Sequence, residues 1–278
     1  MMIQSAPSGN KRFVSTMLEH LELCHQFVTA FGNDKFERPE PDDEFVYIVK
    51  NHDRGWDQFD QNPVLDEKTG YPCGLGSGPV PNVVATSKLS PDFNEAQHAY
   101  CGLLSSMHSW GLYNERYGYS EFRVLGGGKS VPVPPGETDT VKGLLEGELG
   151  RQIQLKEKLA ANPNTAAWVE DGNLIRSYKL LQFFDTLALY FNMRHSSEHD
   201  VETFIHVPTS VVSDVEVTVR PIGDNHYTFT PFPFHGDKLE VHCEGRYFEA
   251  LSPASKPDDL GEAFYGLPTE RQSFVFVQ

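Results

Sequence analysis

The segment Leu180 to Phe191 reads Leu-Leu-Gln-Phe-Phe-Asp-Thr-Leu-Ala-Leu-Tyr-Phe, a helical pattern that is apolar on nearly every side. A helix without a polar face belongs in an interior, so the chain must fold around it. Within it lies one carboxylate, Asp185. Burying that group uncompensated costs several kcal/mol, and its helical neighbours Leu181, Gln182, Ala188 and Leu189 include no cation. The partner has to come from elsewhere, as a metal ion or as an Arg or Lys of another segment.

Inward-facing histidines recur along the preceding helices. At about 100° per residue, Met17, His20, Cys24, Phe27 and Phe31 share one stripe, which places His20 inside and turns His25 to another azimuth. The next helical pattern aligns Phe45, Ile48, Val49, His52 and Trp56, with Asp53 directly after His52. An adjacent His-Asp pair can offer one divalent ion two ligands of different hardness. A third pattern places Cys101, Leu104, Ser105, His108 and Leu112 on one face with His98 on its flank, so His108 is the better ligand candidate of the two. Each inward histidine, taken singly, is more often just a hydrogen-bonded core residue than a ligand.

The chain of 278 residues suits one large domain, or one domain with an appendage, at roughly 150 residues per domain. From Thr16 to about Asp200 the periodicity is helical; from Phe204 onward it alternates and is rich in β-branched and aromatic residues. The first helix opens on a capping box, Thr16 with Glu19, and ends near Gly32. Further helices are expected at Asp43 to His52, Asn94 to Tyr113, Thr140 to Leu159 and Leu174 to Arg194. Asn62 to Pro91, dense in Gly and Pro, reads as a long loop of the kind that shapes a site. Strands are expected at Val215 to Val219, Tyr227 to Phe229, Leu239 to Cys243 and Ser273 to Val277. The expected fold is therefore mainly α: a helical bundle over residues 1–203, with a small antiparallel β appendage over 204–278 packed against it (α+β overall).

Composition excludes several function classes. With 23 Lys+Arg against 39 Asp+Glu the formal charge is -16 and no basic cluster appears, which argues against nucleic acid and anionic membrane as partners. The four cysteines, Cys24, Cys73, Cys101 and Cys243, form no C-x-x-C pair, as expected for reduced thiols in a cytoplasmic protein. Residues 1–12 lack an apolar signal core, and Gln182 and Asp185 interrupt the longest apolar stretch, so neither secretion nor a membrane span is expected. Gly126-Gly127-Gly128-Lys129-Ser130 has the look of a phosphate-binding loop. However, Arg123 holds the place of its first glycine, and Val131-Pro132-Val133-Pro134-Pro135 forbids the following helix. Glu146 and Glu148, near Lys156 and Lys158, read as a solvated helix face. No G-x-S-x-G elbow is present.

The order of the candidate ligands, an inward His, then His-Asp, then a further His, then a buried Asp, resembles the HD-domain superfamily, whose helical bundles hold one or two divalent metals. The resemblance implies His20, His52, Asp53 and Asp185 as the core ligand set, with His108 and His98 as additional ligands. A closer resemblance is to an uncharacterised bacterial family of HD type. It runs through His52-Asp53-Arg54-Gly55-Trp56, Pro63-Val64-Leu65-Asp66 with Gly70-Tyr71-Pro72, the segment Tyr100 to His108, and Pro231-Phe232-Pro233-Phe234. Many HD enzymes carry Lys after His-Asp-x-Gly, and Trp56 stands there instead. Arg54 is then the candidate source of positive charge.

The resemblance implies a metal-dependent hydrolase of a small phosphoester or related substrate, with Asp53, His108 and Arg54 facing the chemistry and one or two ions of Fe, Mn, Zn or Mg. Two alternatives remain: a diiron oxygenase acting on a small organic substrate, and a non-catalytic, metal-stabilised ligand-binding protein.

Overall fold

The computed structural model describes residues 1–5, 11–75, 77–78, 80–123, 128–133, 136–252 and 257–278. A layer of helices covers one seven-stranded sheet. The helices are α1 (Met17–Ala30), α2 (Asp42–Asn51), α3 (Asp57–Gln61), α4 (Val80–Gln97), α5 (Ala99–Tyr113), α6 (Thr138–Ala160), α7 (Asp171–Met193) and α8 (Leu260–Tyr265). The strands are β1 (Met2–Ile3), β2 (Lys11–Ser15), β3 (Leu65–Asp66), β4 (Tyr71–Pro72), β5 (Glu202–Ser210), β6 (Ser213–Gly223), β7 (His226–Thr230), β8 (Lys238–Glu249) and β9 (Glu270–Val277). The large sheet has the order β1-β2-β8-β9-β7-β6-β5, and β3 pairs with β4 as a separate ribbon.

This architecture corrects the expected mainly α fold with a small C-terminal antiparallel sheet. The protein is α/β, 49% helical and 23% strand, and its sheet is mixed because β7 and β9 run parallel. The sheet is also not purely C-terminal, since β1 and β2 extend it beyond β8, with Phe13 opposite Tyr247. Two features hid these strands. β2 is short and opens on Lys11 and Arg12, while β5 contains Pro208 and register shifts on both sides of Val207 that break strict alternation.

The helix expectations fare better. Thr16 Oγ1 accepts from the Glu19 backbone amide at 3.3 Å and starts α1 as the capping box requires. The expected Asn94 to Tyr113 helix is two helices that meet at His98. The Gly/Pro-rich segment holds the short β3–β4 ribbon and, from Val80, the start of α4, which runs through Pro91; Gly76 and Pro79 lie outside the described residues. Glu148 is buried rather than solvated, and Arg151 ties it to Asp92 and Glu95 of α4.

Helix α7 is the central element, and from Leu180 to Met193 every residue is buried. Its Phe191 meets Phe274 and Phe276 of β9 at ring separations of 4.8 and 5.0 Å, and Phe27 of α1 packs on Phe276 at 5.8 Å. These rings fasten the helix layer to the sheet and leave the opposite faces of α1 and α7 turned toward α2 and α5. Among the described residues, no helix is long and apolar enough to cross a membrane.

Candidate metal centre

Four helices deliver five polar side chains to a common point. His20 comes from the middle of α1, the His52-Asp53 pair from the end of α2, His108 from α5 and Asp185 from α7. The end of α2 is fixed by its neighbours. Ser105 Oγ donates to the His52 carbonyl at 3.2 Å and Asn94 Nδ2 to the Asn51 carbonyl at 2.8 Å, which satisfies groups that a helix terminus leaves open. The following turn, Arg54–Trp56, lies tight against α4. A Cβ on Gly55 would fall 2.7 Å from Ser90 N and from the Thr86 carbonyl, so only glycine permits this approach.

The ligand atoms fall into two overlapping groups, His20–His52–Asp185 and His52–Asp53–His108, each within 4.8 Å. Asp185 Oδ1 lies 3.3 Å from His20 Nε2 and 3.8 Å from His52 Nε2. His108 Nε2 lies 3.6 Å from Asp53 Oδ1, and His52 Nε2 lies 4.0 Å from Asp53 Oδ2. Apart from the 3.3 Å His20–Asp185 contact these separations exceed hydrogen-bond length, and among the described residues His52 Nε2, His108 Nε2 and Asp185 Oδ2 are buried without a hydrogen-bond partner. Orphan groups of this kind are costly unless something binds between them.

The far side of each ring is held. His52 Nδ1 donates to the Val49 carbonyl at 2.9 Å, which leaves Nε2 as the lone-pair atom of the neutral imidazole. Gln182 and Asn192 of α7 reach His108 Nδ1 and His20 Nδ1 at 2.9 and 3.2 Å. Their amide oxygens are buried without partners among the described residues. A half-turn of each amide, whose orientation the hydrogen-bond network alone decides, lets those oxygens accept from Nδ1–H. All three rings then aim Nε2 lone pairs at the carboxylates, the arrangement that supports metal ligation.

Electrostatics keep the carboxylate charged. Burial acts to raise the Asp185 pKa, but the imidazoles of His20 and His52 and the guanidinium of Arg116 hold it well below the usual range. Burial acts to lower His52, and Asp185 and Asp53 outweigh it, so His52 is raised. His108 is lowered to about 4, chiefly by burial, and is a neutral imidazole at physiological pH. Cys24, 3.7 Å from His20 Nε2, is pushed well up by burial and by Asp185, and stays a thiol.

Two sequence candidates stand apart. His98 caps α5 by accepting the Tyr100 amide at its Nδ1 (3.1 Å) and packs on Trp168, outside both ligand groups. Arg54 pairs with Asp57 at 2.7 Å, and its guanidinium lies over Phe93. The cation that faces the cluster is Arg116, which the sequence did not single out. It is 3% exposed, with Nη2 3.6 Å from Asp185 Oδ2, and thus supplies the arginine partner considered for that carboxylate alongside a metal. Gln182 and Asn192 were also missed as ring orienters, although Gln182 interrupts the apolar run three residues before Asp185.

The cluster forms the floor of a cavity of about 530 Å³ onto which His20, Asp53, His108, Arg116 and Asp185 open. Gly128, Lys129 and Ser130 of the glycine-rich segment line its rim, while Gly126 and Gly127 lie outside the described residues, as do Pro134 and Pro135. A family model described as Protein of unknown function (DUF3891) matches residues 2–250. The chain belongs to that family. The DUF3891 match takes in every member of the cluster and the sheet strands through β8. No curated protein and no solved structure matches the chain.

Proposed function

We propose that this DUF3891 protein is a metal-dependent hydrolase of HD-like type, acting on a small phosphoester or related substrate. One observation carries the reading: imidazole Nε2 atoms and carboxylate oxygens from four helices converge at a cavity floor, and three of these buried atoms lack any hydrogen-bond partner among the described residues. Nitrogen and carboxylate donors suit Fe, Mn or Zn, and Mg through the carboxylates. His52 belongs to both ligand groups, and a single Nε2 serves one ion. A second ion would rest on His108 and a carboxylate oxygen. A bound ion of this kind brings a coordinated water toward ionisation at neutral pH and polarises a phosphoryl oxygen.

The chain's own residues supply the rest. Val49, Gln182 and Asn192 orient the rings. Asp53, 14% exposed at its side chain and facing the cavity, is placed to accept a proton from attacking water. His108, neutral and adjacent to Asp53, can ligate or hold the substrate. Access from the cavity supports an open, reactive site over a closed structural one.

The oxygenase reading draws support from the three histidine nitrogens and the largely apolar wall, and one experiment separates the two. Protein reconstituted with zinc, manganese or magnesium is assayed against a phosphoester panel under argon, and iron-loaded protein against an organic-substrate panel under air. Turnover under argon is expected. Activity confined to iron plus dioxygen would overturn the hydrolase, and silence in both assays with a filled, closed metal shell would favour a structural role.

A further inference from the structure

Arg116 reaches the cavity by a strained route. Glu115, Arg116 and Tyr117 have φ of 50, 47 and 56°, and Gly118 follows at 78°. Four consecutive residues thus lie in the left-handed region, where side chains other than glycine's are sterically penalised. Such a segment persists only where its surroundings enforce it. Here Ser130 Oγ accepts the Glu115 amide at 3.2 Å, and the Lys129 carbonyl accepts from Arg116 Nη1 at 3.3 Å. The Val131 amide donates to the Leu112 carbonyl at 2.7 Å, and Tyr117 is packed against Trp110 and Tyr178 at ring separations of 4.6 and 4.9 Å.

The effort delivers a guanidinium that is barely used. Among the described residues its one hydrogen bond goes to a backbone carbonyl, its ion pair to Asp185 is 3.6 Å long, and its buried Nε has no partner. A planar fork with spare donors at a cavity wall suits an oxyanion. Charge points the same way. Asp53 and Asp185 are offset by Arg116 and one divalent ion to a single net positive charge, within a chain of formal charge -16. Beyond the cluster the wall is largely apolar, with Trp56, Leu75, Val83, Leu112, Pro132 and Leu189 beside the polar Thr86, Ser87, Ser109, Lys129 and Ser130. The volume accommodates a ligand of modest size.

We infer that Arg116 grips the anionic head of the substrate and that the substrate is a small amphiphile, an organic phosphate whose apolar tail lies along that wall. This rests on the hydrolase reading and names its substrate class. Arg116 acts by binding, at the oxygens Asp53 and His108 face.

The test is calorimetric titration of metal-reconstituted protein, with tryptophan fluorescence as a second signal because Trp56 lines the cavity. The probes are hexyl phosphate, hexan-1-ol and inorganic phosphate. Hexyl phosphate is expected to bind roughly tenfold or more tighter than either of the others. Arg116→Gln should weaken hexyl phosphate by about tenfold with metal content retained, and Arg116→Lys, which keeps charge and loses the fork, should recover part of it. Leu112→Trp, filling tail space, should weaken hexyl phosphate and leave inorganic phosphate unchanged. Parent-like binding of hexyl phosphate by a folded Arg116→Gln variant would overturn the grip, and equal binding of hexyl and inorganic phosphate would overturn the tail. If Arg116→Gln fails to fold, the Lys and Leu112→Trp variants decide, and no change in either overturns the inference. A parent that loads metal but does not bind hexyl phosphate refutes the substrate class and leaves the hydrolase standing. A parent that loads no metal defeats the hydrolase reading, whereas Arg116-dependent binding of hexyl phosphate to it still supports the grip.

Discussion

Two buried histidine environments in this fold solve the same problem in opposite ways. His199, between α7 and the sheet, is stacked on Tyr190 at 4.5 Å. Its Nε2–H donates to the Arg194 carbonyl at 3.1 Å and its Nδ1 accepts from the Tyr227 hydroxyl at 2.6 Å, so both nitrogens are used. His52 and His108 use one nitrogen each and leave Nε2 bare beside carboxylates. Burial lowers both His108 and His199 to about 4. A depressed pKa therefore does not mark the site; convergence of unused lone pairs on Asp53 and Asp185 does.

Removing the carboxylate gives the largest expected effect. Asp185→Ala leaves Arg116 and the histidines without their anion and should lower thermal stability by about 3–5 kcal/mol while bound metal drops sharply. Asp185→Asn should be nearly as harmful to metal binding. Melting curves and metal stoichiometry matching the parent would mean that Asp185 is satisfied without metal.

Next comes the contrast itself. Saturating metal, at about 100 times its Kd, should stabilise the parent by about 2.7 kcal/mol. His199→Gln should melt lower but keep the full metal-induced rise, whereas His52→Ala should lose the rise. Equal metal responses in the two variants would erase the distinction drawn between the two environments.

Smaller effects should follow from the ring orienters. Gln182→Leu and Asn192→Leu leave every ligand in place and free the far side of His108 or His20, with an expected loss of roughly 10–100-fold in metal affinity by titration. Unchanged affinity in both would show that packing alone orients the rings.

The last effect is a dependence of stability on pH. The unfolded chain takes up a proton on His199 near its ordinary value of about 6.5, whereas the folded protein does so only near 4. Stability contributed by His199 is complete above about pH 6.5 and is lost as pH falls toward 4, at no more than about 1.4 kcal/mol per pH unit. His108 acts in the same direction in metal-free protein. His199→Gln should remove its share, giving a shallower decline in urea-unfolding free energy between pH 6.5 and 4. An unchanged slope would place the proton elsewhere.

The candidate ligands were legible because His20, His108 and Asp185 sit on regular helices and His52 caps one, where an azimuth can be read from spacing, with Asp53 directly following. His20, His52 and His108 lie on apolar stripes, and Asp185 breaks an apolar run. The sheet was under-read for the reasons its elements show: β2 is brief and begins with charges, β5 carries Pro208, and a pairing such as Phe13 with Tyr247 spans most of the chain. Pro91 inside α4 disguised a helix as loop. Arg116 left no periodic signal because its left-handed backbone is imposed by Ser130, Lys129 and Tyr178, residues distant in sequence.

The central claim is that the lone pairs of His20, His52 and His108 with Asp53 and Asp185 hold a divalent ion. Elemental analysis with X-ray absorption on anaerobically purified, metal-reconstituted protein tests it most directly. One or two ions per chain are expected, with nitrogen and oxygen scatterers at about 2.0–2.2 Å, and with loss of that signal in His52→Ala. A folded protein that takes up no iron, manganese, zinc or magnesium, or one whose bound ion survives His52→Ala and Asp185→Asn unchanged, would contradict it.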